Sequence, residues 1–425
     1  MKYLSIPKLE GTARSGNQTP IVLFERGGAG DVLTAGWSAA EKVRRQKLMP
    51  DAAAWDLLAI ALSVVVADGT TVRGASPDGW TRQIDLEIAL SDPERWNPHA
   101  DAIATALKFL TTDLWTISFR GGGAIPTPPK KPRYPTSDAV ALLSGGLDSL
   151  IGAIDLTAAG TTLLAVSQTV RGDAAKQVRF AQRIGGGIDH LQLNHNASTP
   201  RGEKETSQRS RSLIFLAFAA LAATTTRRYA SGQPVPLYVC ENGFIAINPP
   251  LTTARVGSLS TRTTHPEFLG RMQNIFDAVG LNIQIKNPYA EKTKGEMLRE
   301  CLDQGLLSTE APLSTSCGRF QRFNYTHCGR CVPCQIRRAA FEAWGHPDPT
   351  EYVYDNLAIR DEDHAAFDDV RSVAIALLTI EQEGFNRWLG PTLSSPLIQN
   401  RLELRNMLQR GFGELRTIHE KYGLV

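Results

Sequence analysis

The apolar positions of this chain change rhythm near residue 138. Before residue 121 they come in short, separate runs. Residues 19–25 (TPIVLFE) read as a strand, residues 84–90 (IDLEIAL) alternate like a half-exposed strand, and residues 114–119 give another. Residues 52–67 read as a buried helix and 97–111 as a second helix. This mixture predicts an α+β region over residues 1–120. Trp80 and Trp96 read there as packing residues. From residue 138 the order becomes strand, loop and helix, repeated. Strands are expected at 139–143, 162–167, 191–193 and 237–239, with helices after the first strand, at 174–184 and at 212–223. Such alternation predicts an α/β unit, a parallel sheet covered by helices.

Between the two patterns lies GGGAIPTPPKKPRYPTS, residues 121–137. Three glycines and five prolines cannot build a core, so this reads as an extended linker. Residues 370–385 and 401–422 read as helices with mixed charge, a surface or partner-facing segment. The expected division is 1–120, 121–137, 138–355 and 356–425.

Composition narrows the classes. The 425 residues are 42% hydrophobic and 21% charged, which excludes a disordered or fibrous chain. The net charge of +3 argues against a protein built around nucleic acid. No uninterrupted apolar run reaches the ~18 residues of a membrane span, and MKYLSIPKLE lacks a signal-peptide core. A cytoplasmic chain without a membrane partner is the expectation. Four of the six cysteines fall within residues 317–334, the clustering of metal ligands rather than of a disulfide framework.

The strongest local signal is Ser144-Gly145-Gly146-Leu147-Asp148-Ser149, directly after AVALL. A strand entering a glycine turn and then a helix aims backbone N–H groups at an anion. The glycines admit phosphate oxygens close to the backbone, and Ser144 and Ser149 can donate hydroxyls. Asp148 repels phosphate, so it reads as a magnesium ligand or a helix cap. No lysine follows the glycines, so this is not a Walker loop.

Cys317, Cys328, Cys331 and Cys334 stand as C-x10-C-x2-C-x2-C. Four thiolates suit tetrahedral zinc, and a closed shell without an open position is structural. An iron–sulfur cluster is the chemical competitor. His327 reads as a non-ligand, and Cys240 and Cys301 as buried packing residues.

SGGLDS resembles the loop of the N-type ATP pyrophosphatases. Together with the cysteine pattern it resembles the 7-cyano-7-deazaguanine synthase, or QueC, family. Arg211-Ser212 before LIFLAFAALA, Thr293-Lys294-Gly295-Glu296 after Asn287-Pro288, Ser316-Cys317, CGRCVPCQIRRAAF and Asp348-Pro349-Thr350-Glu351-Tyr352 follow that family in order. The resemblance covers roughly residues 138–355. The N-terminal third and the segment from Glu241-Asn242-Gly243 to Pro266 depart from it. The whole layout is similar to the QatC family, the QueC-like component of the Qat anti-phage defence system.

The resemblance implies a PP-loop core, the cofactors ATP, Mg2+ and Zn2+, and a ligase that adenylates a 7-deazaguanine-type carboxylate. The acceptor would be ammonia or an amine on a protein partner of the same defence system. Leu143, Ser144, Gly145, Gly146, Leu147, Asp148 and Ser149 would form the nucleotide loop, with Ser144, Asp148 and Ser149 acting on pyrophosphate and magnesium. Arg211 and Lys294 would neutralise charge on the leaving pyrophosphate. Each also reads as an ordinary solvated charge. Two other functions stay open, a non-catalytic nucleotide-binding scaffold of a defence complex and an ATP-dependent tRNA-modifying enzyme. The polar run 260–265 could line a base pocket or a partner interface, although His265 could equally cap a turn. Residues 201–205 read as a solvated loop.

Overall fold

A computed structural model of the chain describes residues 1–8, 18–26, 32–198, 205, 209–251, 262–359 and 369–425. Residues 201–204, 260–261 and 361–368, which belong to segments singled out above, lie outside the described residues.

The first region carries β1 (Lys2–Ile6), β2 (Thr19–Leu23), β3 (Leu33–Ala35), α1 (Trp37–Arg45), α2 (Ala52–Thr70), β4 (Gln83–Ala89), α3 (Pro93–Trp96), α4 (Ala100–Thr111) and β5 (Leu114–Arg120). The strands form one sheet in the order β3-β2-β1-β4-β5, and every neighbouring pair is parallel. The expected α+β region is therefore corrected to α/β. The reason lies in burial. In β5 the residues alternate strictly between exposed and buried, because α2 and α4 cover one face only. Alternation of that kind is the usual mark of antiparallel strands.

The second region carries β6 (Ala139–Leu142), α5 (Leu147–Ala158), β7 (Leu163–Gln168), α6 (Ala174–Arg183), β8 (Asp189–Leu193), α7 (Arg211–Ala223), α8 (Arg227–Ala230), β9 (Val235–Tyr238), α9 (Gly243–Ile247), α10 (Pro266–Ala278), β10 (Ile283–Lys286), α11 (Lys294–Glu300), α12 (Gln304–Glu310) and α13 (Val332–Trp344). Its sheet is also parallel, in the order β10-β9-β6-β7-β8. Successive residues feed two cores: Val140, Leu164 and Val166 face one, Ala139, Ala141 and Ala165 the other. Helices α14 (Asp369–Glu383), α15 (Phe385–Leu389) and α16 (Arg401–Lys421) build a third apolar cluster with α9 and α13.

One apolar cluster joins the two sheets through α2 and α7. Helix α2 runs past the apolar stretch read from the sequence to 19 residues, and by length and composition it alone among the described residues could cross a membrane. Yet 83% of its apolar window is buried inside the protein, so here it is a core helix. Its last turn carries Asp68 into a buried charge network. Arg82 donates to Asp68 and Asp113 at 2.5 Å each, Arg73 pairs with Asp113 at 2.9 Å, and the Ser210 hydroxyl donates to Asp68. Such charges are tolerated inside only when paired on this scale.

Candidate active site and metal centre

In a parallel sheet, ligands bind beyond the carboxyl ends of the strands where the strand order reverses. Here the order reverses between β6 and β9. The glycine loop leaves β6 at that point and enters α5. Gly145 has φ +91°, and a Cβ there would lie 3.1 Å from Asp173 Cβ, so glycine suits it on both counts. The Ser144 and Ser149 hydroxyls lie 3.1 Å apart, and the Gly146 N–H donates to Ser144 Oγ. The side chains of Leu143 and Leu147 are buried in the core, so only their backbone can face a ligand.

Asp148 turns away from the loop into a buried cluster. Lys294 Nζ lies 2.6 Å from its Oδ1, and Asn242 donates to Oδ2 from Nδ2 at 2.7 Å and from its N–H at 3.1 Å. Burial works against the Asp148 carboxylate. The Lys294 ammonium and hydrogen bonds from Glu241, Lys294 and Asn242 outweigh it and hold Asp148 well below the usual carboxylate range. Burial, then the Asp148 charge and a hydrogen bond with Asp148, push the adjoining Glu241 well above that range. Asp148 does not cap α5, whose N-cap is Gly146. Both its oxygens are engaged, so a magnesium ion at Asp148 would have to displace Lys294; the residues present do not fit one there.

Arg211 stands elsewhere in the site. It opens α7, its guanidinium lies 5.2 Å from the Phe215 ring, and Asp173 and His195 are its charged and titratable neighbours. The structure thus brings Lys294 to Asp148 and sets Arg211 on the side of Asp173, against Gly145.

Sequence reasoning missed several groups. Lys176 donates to Thr315 Oγ1 at 2.7 Å, and Thr315 Oγ1 donates to Asp173 at 2.6 Å. Burial lowers the Lys176 ammonium from its usual range, and the Asp173 carboxylate opposes this. Gln177 donates to the Ser144 carbonyl. Lys176 follows the carboxyl end of β7, and Glu241 and Asn242 that of β9, as the expected Lys294 follows that of β10. That rule of parallel sheets was the signal that could have found them.

The cysteine sulfurs of Cys317, Cys328, Cys331 and Cys334 lie within 4.8 Å of one another and are buried. The Cys328–Cys334 and Cys317–Cys331 separations are 3.9 Å. A tetrahedron with Zn–S bonds of about 2.3 Å has edges of about 3.8 Å. Backbone N–H groups of Arg319 and Cys328 donate to Cys317 Sγ, and that of Cys331 to Cys328 Sγ. Four thiolates this close need a cation between them, and the set suits zinc. His327 is not among the ligands; its Nε2 accepts from the Ser316 N–H. The metal centre and the glycine loop share one segment, because Thr315 N–H donates to the Gly145 carbonyl two residues before Cys317.

The residues given bland readings take bland places. Trp96 is fully buried, and the Trp80 ring has the Arg73 and Arg209 guanidinia 4.9 and 5.0 Å from its centre. Cys240 and Cys301 are buried, and burial raises both thiols. His265 is the N-cap of α10, its Nδ1 accepting from the Glu267 N–H.

The family model "Queuosine biosynthesis protein QueC" matches residues 263–345. A 7-cyano-7-deazaguanine synthase of Methanococcus aeolicus is 24% identical over 233 residues, 51% of this chain and 99% of the relative. One from Cupriavidus taiwanensis is 26% identical over 239 residues, 51% of this chain and 98% of the relative. One from Ralstonia pickettii is 36% identical over 87 residues, 20% of this chain and 37% of the relative. About half of the chain is thus homologous, at low identity, to 7-cyano-7-deazaguanine synthases, with a QueC family domain at residues 263–345.

Proposed function

We propose that the chain activates a 7-deazaguanine-type carboxylate with ATP and passes the acyl group to nitrogen. The observation that carries this is the glycine loop at the strand-order reversal, with the buried Asp148–Lys294 pair at its base. A carboxylate is a poor acyl donor because its leaving group would be oxide. Its oxygen attacks the α-phosphorus, the bond to the bridging oxygen breaks, and pyrophosphate leaves. A nitrogen nucleophile then adds to the acyl carbon and AMP departs with the former carboxylate oxygen.

The chain's residues serve charge and position. Loop N–H groups and the Ser144 and Ser149 hydroxyls receive the pyrophosphate. Lys176, Lys294 and Arg211 supply positive charge that opposes the charge building on the leaving group. Magnesium would be held by the ATP phosphates rather than by Asp148, and would supply charge shielding there. Residues 138–355 are the catalytic unit, and zinc holds the segment that braces Gly145.

The regions outside the catalytic unit favour a macromolecular acceptor, an amine on a partner protein, and a place in an anti-phage system of the Qat type within the cytoplasm. The test is mass spectrometry on the protein with ATP, magnesium, ammonium and 7-carboxy-7-deazaguanine, with and without the products of neighbouring genes. AMP together with an amide or nitrile, free or attached to a partner, is expected. Intact ATP in every mixture, with zinc bound and the fold sound, would sink the proposal.

A further inference from the structure

Helix α16 follows the residues that the family model matches, yet it reaches the base of the site. Asn242 and Lys294, the two groups that engage Asp148, stand at the starts of the short helices α9 and α11. A five-residue and a seven-residue helix cannot hold a fixed position by themselves. Helix α13 packs along α11, and one face of α16 adds side-chain contacts at the starts of both short helices. Met407 and Gly411 pack on α9: a Cβ on Gly243 would lie 2.5 Å from Met407 Cε, and a Cβ on Gly411 would lie 2.5 Å from the Phe244 ring. Arg410 bonds both carboxylate oxygens of Glu296 and the Glu291 carbonyl.

Glu414 makes the closest approach to Lys294's own turn. The Thr293 hydroxyl donates to Glu414 Oε1 at 2.5 Å, and the Gly295 N–H donates to the same carboxylate. A Cβ on Gly295 would meet Glu414 Oε1 at 2.5 Å. Thr293 and Glu296 also close a reciprocal capping box around the same turn. The residues before and after Lys294 are therefore both hydrogen-bonded to one side chain of the last helix.

We propose that Glu414 is a positioning residue that fixes Lys294 on Asp148, so that the C-terminal helix controls the base of the nucleotide site. The proposal rests on the reading that Lys294 serves an ATP site, and its test separates the two. The full chain is treated with a limiting acetylating reagent, and the rate at Lys294 is read by peptide mass spectrometry against exposed Lys286. The paired, buried Lys294 of the natural protein reacts slowly. Glu414→Ala removes the contact, and Gly295→Ala crowds it from the other side while also pressing on Ala343 of α13. Each is expected to raise Lys294 labelling at least fivefold with Lys286 unchanged. Glu414→Gln keeps the volume and an accepting oxygen, and is expected to stay within twofold of the natural rate. Unchanged Lys294 labelling in both alanine variants would overturn the proposal, as would an equal rise at Lys286. Calorimetric ATP–magnesium binding is measured alongside, with at least fivefold weakening expected in the alanine variants. A natural protein that binds no ATP removes the functional reading, while the labelling still decides the role of Glu414.

Discussion

The two five-stranded sheets are both fully parallel, but they meet the rest of the protein differently. The second is covered on both faces, and β7 is buried at all six positions. The first is covered by α2 and α4 on one face, and Thr116 and Ser118 of β5 stand exposed on the other. Each sheet also has a buried ion-pair set. In the first, Asp68, Asp113, Arg73 and Arg82 pair with one another, and Asp68 and the Arg73 N–H also reach the loop before α7 through Ser210 and Glu205. In the second, Asp148 and Lys294 lie under a glycine loop at the strand-order reversal. The same chemical motif thus serves cohesion in one place and a candidate reaction centre in the other, and position on the sheet separates them.

The largest contrast is expected from metal removal. Structural zinc sites carry roughly 10 kcal/mol or more of apparent binding energy. Chelation is expected to expose amides of residues 314–317 and then of the glycine loop, through the Thr315–Gly145 bond, while β4 and β5 keep their protection. Hydrogen exchange with and without a chelator checks this, and metal analysis is expected to give one zinc per chain.

Removing one partner of a buried pair costs about 3–5 kcal/mol because a bare charge stays behind. Asp113→Asn and Lys294→Met are both expected to destabilise on that scale in denaturant titrations. Their turnover should part company. Folded Asp113→Asn is expected to keep ATP conversion within twofold, whereas Lys294→Met is expected to lose at least a hundredfold, about 2.7 kcal/mol of transition-state stabilisation. Equal losses in both would break the contrast between the two ion-pair sets.

Glu414 predicts a pH effect at the edge of the second sheet. Burial pushes its carboxyl up to about 7 from an ordinary value near 4.5. The folded chain therefore holds a proton that the unfolded chain has released between these pH values. The stabilisation is full below about 4.5 and is lost as pH rises through about 7, by no more than about 3 kcal/mol given partial exposure. Tm of the natural chain is expected to fall relative to that of Glu414→Gln as pH rises through this window, and thermal melts of the two across it check this.

The smallest contrast lies on the sheet faces. Ser118→Ala on the open face of β5 is expected to change stability by less than about 0.5 kcal/mol. Ser167 of β7 is fully buried and donates to the Leu143 carbonyl, so Ser167→Ala is expected to cost about 1 kcal/mol or more in the same titration.

Much of the second sheet was legible because strands buried on both faces read as apolar runs, as in 139–143 and 162–167. The first sheet was misread because β4 and β5 alternate, and β1 and β3 are too short to show a period. Within the site, the glycine loop and the cysteine spacing were visible as contiguous motifs. Lys176, Glu241, Asn242 and Glu414 were not, since nothing in their own neighbourhoods distinguishes them from surface polar residues.

The sequence alone determined where a strand meets a glycine turn and which four sulfurs can reach one ion, because both are fixed by a few covalently adjacent residues. The tertiary structure decided that Asp148 faces Lys294 and Asn242 rather than capping α5, that Arg211 stands apart beside Asp173, and that the last helix grips Lys294's turn. Those pairings join residues far apart along the chain. They are selected by burial, where each charge must find a partner or stay in water, and no local period carries that information.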